Sequence, residues 1–464
     1  MGVVQQSVRR CLSLAALSAL CAFGAARPAR AQGPVFPLLH VGCPMAHCDS
    51  QMSDQVGLVG PATAVLVGQD NGAVGGGGLG CVSNGRLVAC TYRGDPTLQS
   101  NLVVFDSSGH RVWEDHGQLG VNAWFSAPII GSDGTVIAAD DRWVMRVDPG
   151  SGAVLWKSAK PDSGVPVSPV PVGSDLSMVF VATNTNSAGG TAEISVWDVT
   201  TGAMLSHQPL IDPDTGRLYV TRNTVAVRGN RAYVLAAADV DPTDGRMVAI
   251  DVCNAADCGG RGTQAVRWHY DFKGPSGASP LLVGNVLFFD GRPTPTSGTF
   301  MAVADRGSTA KRLWVRSFSS PFGVSAAQDP RGGFWVHPST ASDTLLRLNA
   351  DTGDTDQQVV VSDALGLVPG YVAQSVVSVS TNAAGAVVLT IGAQQLGQSS
   401  LPSYVAAIDV STTGAGAALW TYQVAANPAL NSAAGQFSIV VAPGGARRAV
   451  FNGSKSSTFF VGEP

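Results

Sequence analysis

The feature that most constrains this 464-residue chain is one strand-and-turn phrase that returns along its length. It reads LVVFDSSG at Leu102–Gly109, VMRVDPGSG at Val144–Gly152, ISVWDVTTG at Ile194–Gly202, LLRLNADTG at Leu345–Gly353 and YVAAIDVSTTG at Tyr404–Gly414, with shorter copies at Met247–Asp251 and Phe300–Asp305. The acidic or amide residue falls at Asp106, Asp148, Asp198, Asp251, Asp305, Asn349 and Asp409, in steps of 42 to 60 residues. A period of that size belongs to repeat architectures whose unit is a small sheet. The chemistry of the phrase is local. An Asp or Asn oxygen accepts from the backbone of the turn, and the glycine supplies the positive φ that lets the chain reverse. Helical periodicity is nearly absent after the first thirty residues. Short runs of Val, Ile, Leu, Thr, Phe and Trp instead alternate with Gly, Asp, Asn and Pro, the pattern of many short antiparallel strands.

The most complete unit runs from Ser126-Ala127-Pro128-Ile129-Ile130 through Gly134–Ala138 and Val144–Gly152 to Ala153-Val154-Leu155-Trp156, which makes four strands and three turns. Its fourth strand carries a tryptophan that recurs at Trp113, Trp156, Trp268, Trp314 and Trp420, where a large flat ring can fill the space between neighbouring sheets. Its first strand opens on Ser-x-Pro or Ser-Pro, as in Ser126–Pro128, Ser168-Pro169 and Ser279-Pro280; proline is tolerated there because a strand's first residue needs no ladder donor. Seven full units run from Leu79 to near Val424. Phe437–Val441, Arg448–Asn452 and Ser457–Val461 then make a group one strand short, while Pro61–Gly68 is an orphan strand at the other end. Joining the two closes a ring and removes exposed sheet edges. The expected fold is therefore all-β: an eight-bladed β-propeller of four-stranded antiparallel blades, closed by an N-terminal strand that completes the last blade. The expected segments are 1–31 as a signal peptide, 32–58 as an N-terminal extension and 59–464 as the propeller.

From the Ser-Pro start through the Asp-x-x-x-Gly turn to the closing Trp, the unit resembles the repeat of the quinoprotein alcohol dehydrogenase-like superfamily, the PQQ-like β-propellers, over about Leu79 to Gly462. That superfamily contains both quinone-dependent dehydrogenases and non-enzymatic propellers. For an enzymatic member the resemblance implies pyrroloquinoline quinone in the propeller axis, over a Trp and under a disulfide between adjacent cysteines, with calcium or a lanthanide held by carboxylates and an amide. This chain has no adjacent cysteine pair and no Cys-x-x-Cys-His haem site. A non-catalytic member with no cofactor is expected. A divergent oxidoreductase keeping a quinone and calcium in the axis is the alternative.

Met1 to about Gln32 has the layout of an export signal: Arg9-Arg10, an uncharged stretch from Cys11 to Ala26, and Ala29-Arg30-Ala31 as a small-x-small cleavage site. Leu17–Cys21 resembles a lipoprotein box and Val8–Leu12 a twin-arginine signal, each less closely than the segment fits an ordinary signal. The rest of the chain has no apolar run of about 18 residues, so no transmembrane segment is expected in the mature protein, which should be periplasmic or secreted. A net charge of -4 without a basic cluster disfavours nucleic acid, leaving a protein or glycan partner in the envelope or outside the cell. Past the signal, Cys43, Cys48, Cys81, Cys90, Cys253 and Cys258 form near-neighbour pairs that read as disulfides. A two-residue turn at Asn84-Gly85 would leave Cys90 diagonal to Cys81; direct pairing needs a four-residue loop at Asn84–Leu87.

Three groups of residues raise questions of chemistry. His40 to Met52 gathers His, Cys and Met, donors that copper or zinc would take, although a small disulfide loop with incidental Met and His is preferred. Asp239–Gly245 and Asp212–Gly216 are oxygen-rich, yet lack EF-hand spacing and read as ordinary turns. His110, His116, His207, His269 and His337 are scattered with no nucleophile beside any of them, and Arg93-Gly94-Asp95 reads as a chance tripeptide. If a unit's first strand lies innermost, loops from one blade to the next end at the mouth of the axis. Trp124, Phe322 and Tyr371 sit near the inner ends of such loops and are the candidate ligand-binding residues of a funnel mouth, with axial packing as the competing role.

Overall fold

A computed structural model describes Phe36 and residues 41–464, apart from 72–76, 94–99, 185–192, 213–214, 222, 239–243, 254–259, 277, 321, 323–324, 339–341, 396–400, 413, 427–430 and 456. Residues 1–31, His40, Gly94-Asp95, Asp239–Thr243 and Cys258, all singled out in the sequence, lie outside the described residues.

The strands pair in chain order into antiparallel sheets of the expected kind. Ile129–Ile130, Val136–Ala139, Trp143–Asp148 and Ala153–Ala159 form one sheet; Leu281–Val283 to Ala310–Phe318 form a second and Ala327–Gln328 to Thr355–Val360 a third. In three others the first strand is interrupted and both pieces pair with the second, as Val165–Pro166 and Val170–Val172 do with Met178–Asn184. The remaining sheet has eight strands. Its two antiparallel halves, Gly77–Ser83 to Arg111–Glu114 and Ala433–Val441 to Thr458–Gly462, meet at the parallel contact of Gly80 with Gln436. The second half takes its outer strand from the beginning of the chain: Val65–Asp70 lies antiparallel to Thr458–Gly462, with Val65 opposite Gly462 and Asp70 opposite Thr458. The protein is a β-propeller whose last group is completed by an N-terminal strand.

Two repeated contacts turn separate sheets into a ring, and both use the residues that recur in the sequence. The fourth-strand tryptophan reaches into the next sheet. Indole Nε1 of Trp156 donates to Val199 O at 2.8 Å, that of Trp314 to Ala350 O at 2.9 Å, and that of Trp268 to Asp305 Oδ1 at 3.0 Å. Each acceptor belongs to the Asp- or Asn-led turn of the following unit, so one phrase braces its own hairpin and receives its neighbour's ring. The turn oxygens behave as expected: Asp198 Oδ1 accepts from Thr200 N and Thr201 N, and Asn349 Oδ1 from Asp351 N and Thr352 N. Trp420 docks at the closure instead, donating to Pro61 O at 2.9 Å. In the last copy of the turn the positive-φ glycine is Gly416, not Gly414, which makes that turn three residues longer than those ending at Gly152, Gly202 and Gly353.

The second contact comes from the serines of the first strands. Ser168 Oγ accepts from Ala127 N at 3.0 Å, Ser279 Oγ from Thr224 N at 3.0 Å, and Ser325 Oγ from Ser279 N at 2.9 Å, tying each first strand to the one before it. Backbone donors at the centre of a propeller have no ladder partner, so a short hydroxyl supplies one. Cys81 faces Cys90 directly in register, with Ser83 opposite Val88, so the four-residue loop Asn84–Leu87 is the one formed, and the two cysteines are bonded. Among the described residues, two short helical turns interrupt the sheets, a 3-10 turn at Val121–Phe125 and a helix at Val361–Leu365.

Gly202 and Gly152 separate the demands of the turn from those of the docked ring. Both have positive φ, +71° and +75°, so alanine at either costs about 1–2 kcal/mol in left-handed strain. Only at Gly202 would the new Cβ come within 2.6 Å of the Trp156 ring; at Gly152 nothing lies within 4 Å. Gly202→Ala should therefore destabilise by a further 1–3 kcal/mol or so in urea denaturation, and equal losses at the two sites would show that the ring does not clamp the turn.

Candidate functional site

The segment expected to be an outlying disulfide loop runs through the middle of the molecule. Cys43 forms a reciprocal bridge with Ser83, at 2.9 and 2.7 Å. From there the carbonyls accept from first strands in the order of the sheets: Pro44 O from Ile130 N at 2.8 Å, Ser50 O from Val227 N at 2.6 Å, Gln51 O from Leu282 N at 2.9 Å, Ser53 O from Gln328 N at 2.7 Å and Asp54 O from Val379 N at 2.8 Å. Gln55–Val59 then adds itself as a parallel strand beside Ser378–Thr381. Residues 43–54 thus wind round the axis while their carbonyls cap inner edges that would otherwise hold unpaired donors. This placement also establishes that the first strand of each unit is innermost.

Winding against strands that converge from different directions demands unusual backbone angles. His47, Cys48, Met52 and Asp54 all have positive φ, between 52° and 69°, and they are four of the seven such non-glycine residues among those described. The Cys43–Cys48 disulfide closes the first turn of the winding. Met45 and Met52 are fully buried and pack with Ile129, Val170 and Val179. The soft donors are therefore consumed by the fold: the sulfurs of Cys43 and Cys48 are bonded to each other and the methionines are core residues. No group of three metal-ligating side chains stands together among the described residues.

One ionisable pair is sealed inside this winding. His47 Nδ1 lies 2.9 Å from Asp54 Oδ2, both side chains are buried, and Asp54 Oδ1 has no hydrogen-bond partner. Burial disfavours the His47 imidazolium, but the charge and hydrogen bond of Asp54, helped by Asp49, outweigh it and hold the pKa above its usual value. Burial also raises the Asp54 carboxyl, against the opposing pull of His47. Gln436 anchors the same turn from the last group of strands, accepting from His47 N at 2.7 Å and donating to Met45 O at 3.0 Å.

Two of the three funnel-mouth candidates, Phe322 and Tyr371, are buried among other side chains. Phe322 is completely buried, its ring 5.2 Å from Phe300 and 4.7 Å edge-on from Phe318. Tyr371 is buried too; its hydroxyl donates to Pro402 O at 3.0 Å and its ring lies 5.8 Å from Tyr404. Trp124 falls in the 3-10 turn Val121–Phe125, and its side chain is outside the described residues. The histidines stay dispersed. His110, His116 and His207 are exposed beside Asp106, Glu114 and Glu193, whereas His337 is buried with Nε2 at 2.7 Å from Ser342 O, and burial lowers its pKa. Asp212 pairs with Arg246 at 2.9 Å and accepts from Thr215 Oγ1 at 2.7 Å, as a turn residue does. Cys253 is disulfide-bonded.

The fold is similar to solved propellers over most of its length. The quinohemoprotein alcohol dehydrogenase of Comamonas testosteroni matches 91% of this chain and 81% of its own, at 12% identity and a TM-score of 0.63. A europium-containing methanol dehydrogenase matches 89% and 91%, at 12% identity and a TM-score of 0.58. The Dos1 propeller matches 86% and 96%, at 11% identity and a TM-score of 0.52. No protein-family model and no curated protein matches the chain.

The sealed pair gives the winding a pH signature. His47 has a folded-state pKa above the usual 6.5, so its stabilising contribution is complete below that value and fades as pH rises through the raised one. The melting-temperature advantage of the native protein over His47→Gln should shrink as pH rises above the ordinary histidine value of 6.5. An advantage that is constant or grows with pH would contradict an imidazolium held by Asp54.

Proposed function

We propose that this chain is an exported, non-catalytic β-propeller that recognises a protein, glycan or small ligand on its outer surface and not in its axis. One observation carries the reading: residues 43–54 occupy the axis themselves, with their carbonyls on the first strands of six sheets. Disulfides Cys43–Cys48 and Cys81–Cys90 suit an oxidising compartment. No described helix is long and apolar enough to cross a membrane.

The residues present do not fit the quinone that the sequence resemblance brings to mind. The described disulfides join cysteines five and nine positions apart, one inside the winding and one across a hairpin, where the cofactor's neighbour would be a ring of adjacent cysteines. The candidate aromatics Phe322 and Tyr371 are spent on packing, so neither has a free face on which to stack a planar group. A binding protein needs neither feature. Its ligand would meet the turns that rim the ring, which vary in length and composition while the strands and docking residues repeat.

Two measurements test the reading. The purified mature protein, incubated with pyrroloquinoline quinone and calcium or lanthanum chloride and then desalted, should retain no quinone absorbance and show no dye-linked oxidation of primary alcohols. Stoichiometric retention with turnover would overturn it. Affinity capture from the native envelope fraction should in turn enrich a specific protein or glycan, and persistent failure with soluble, folded bait would count against a recognition role.

A further inference from the structure

We infer that a cavity on the turn face of the ring is a binding site for a carboxylate-bearing pyranose, an acidic sugar of the uronate class. The inference rests on the binding reading above and names its ligand. The cavity holds about 460 Å³, within the range of about 300–1,000 Å³ typical of small-ligand sites. It lies where the ring is sealed, between the turn Asn84–Leu87 of the first group of strands, the turn at Ser132–Gly134 of the next sheet and the turn at Val441–Pro443 of the last group.

The charges around it are unequally satisfied. Both lining carboxylates are committed: Asp106 Oδ1 accepts from Ser108 N and His110 N, and Asp133 accepts from Thr135 N and Oγ1 while Arg146 stands 3.5 Å away. Arg86, exposed at the mouth, has no ion pair or side-chain hydrogen bond among the described residues. Behind the wall, the buried guanidinium of Arg448 donates to Ser107 O, itself a lining residue; among the described residues it has no carboxylate partner and its Nε has no hydrogen-bond partner. One unpaired cation at the mouth and one behind the floor make the cavity attractive to an anion. Arg86 presents a planar fork that matches a carboxylate with two parallel hydrogen bonds.

The walls are two-sided, which selects the rest of the ligand. Asn84 is held in its own turn, accepting from Arg86 N and Leu87 N and donating to Gly131 O, so Ser107 and Ser132 supply the polar side of the cavity, and Val441, Ala442 and Pro443 give an apolar side. A pyranose ring has the same division, hydroxyls at its edge and a C–H face that packs on aliphatic carbon. An aliphatic acid would offer no hydroxyls to Ser107 and Ser132, and a neutral sugar would leave Arg86 unused.

Calorimetric titration of the mature protein with D-galacturonate, D-galactose and a galacturonate tetramer tests the assignment. Galacturonate should bind at least about tenfold tighter than galactose, the difference a charge-assisted pair supplies. Arg86→Gln should abolish that difference and Arg86→Lys should restore part of it, both with unchanged melting temperature because Arg86 is exposed. Ser132→Trp, which fills the cavity, should remove binding altogether. Tighter binding of the tetramer would identify the end of an acidic polysaccharide as the source, and binding of the monomer alone a free sugar acid. Equal binding of the two monosaccharides, insensitive to Arg86, would overturn the acidic class while leaving a recognition function in place. Binding of neither, with envelope capture still positive, would overturn this site alone; binding of neither with capture negative would overturn both readings.

Discussion

The structure depends on how the inner edges of its sheets are capped. Each sheet of a propeller presents one edge to the axis, where backbone donors meet neither a neighbouring strand nor bulk water, and an unsatisfied buried donor costs about 1–3 kcal/mol. Here the donors are answered twice. Serines of the first strands accept from the preceding strand, and the carbonyls of residues 43–54 accept from Ile130, Val227, Leu282, Gln328 and Val379 in turn. The strained angles of His47, Cys48, Met52 and Asp54 are explained by that requirement: a backbone constrained to point its carbonyls outward in several directions cannot remain extended.

Closure of the ring follows from the same stretch of chain. Residues 43–54 fill the axis and Val65–Asp70 completes the last group of strands, so a run of fewer than thirty residues seals both the centre and the circumference. The two seals touch. Trp420 docks on Pro61 O between them, and Gln436, on the innermost strand of the last group, holds His47 and Met45. Elsewhere Trp156, Trp268 and Trp314 each join a sheet to the turn of the next one. At the closure the outer strand has Gly68 in place of a ring, and Phe460 packs on Gly109 instead. The seam replaces the repeating contact with a different one of the same shape.

Much of this was legible in the sequence because repetition is a form of measurement. Trp156, Trp268 and Trp314 each fall on the strand that follows an Asp-led turn, and counting strands exposes both the shortfall after Phe437 and the surplus strand before Gly68 that cures it. What repeats least was read least well. In the winding the carbonyls of Cys43, Pro44, Ser50, Gln51, Ser53 and Asp54 each answer a different strand at uneven spacing, so residues 43–54 show no period, and nothing in His47 or Met52 announces positive φ. Their composition offered the one clue: Met45, Ala46 and Met52 are apolar residues in a segment that an outlying loop would have no reason to bury. Phe322 and Tyr371 are buried, and an aromatic near an inner loop end satisfies a core as readily as a ligand. The cavity beside Arg86 was beyond reach of sequence, because its walls come from Asn84–Leu87 and Val441–Pro443, brought together only by closure.

That last dependence bears on how the fold assembles. The contacts of the winding span the chain, from Cys43 with Ser83 to His47 with Gln436, so a segment near the start of the sequence depends on partners near its end. Long-range contacts of this kind raise the entropic cost of closure before they return any stabilisation, and folding slows accordingly. The individual sheets avoid the difficulty, since their strands are joined in sequence by short turns braced by Asp106, Asp148, Asp198 and Asn349. Local units can therefore form early and collect round an open axis, with serine and tryptophan contacts holding neighbours in order. Entry of residues 43–54 then converts an arc of sheets into a closed ring and buries the His47–Asp54 pair in one step. A segment that fits only when every inner strand is in place acts as a check on assembly, because a missing or misregistered sheet leaves its carbonyl without a donor.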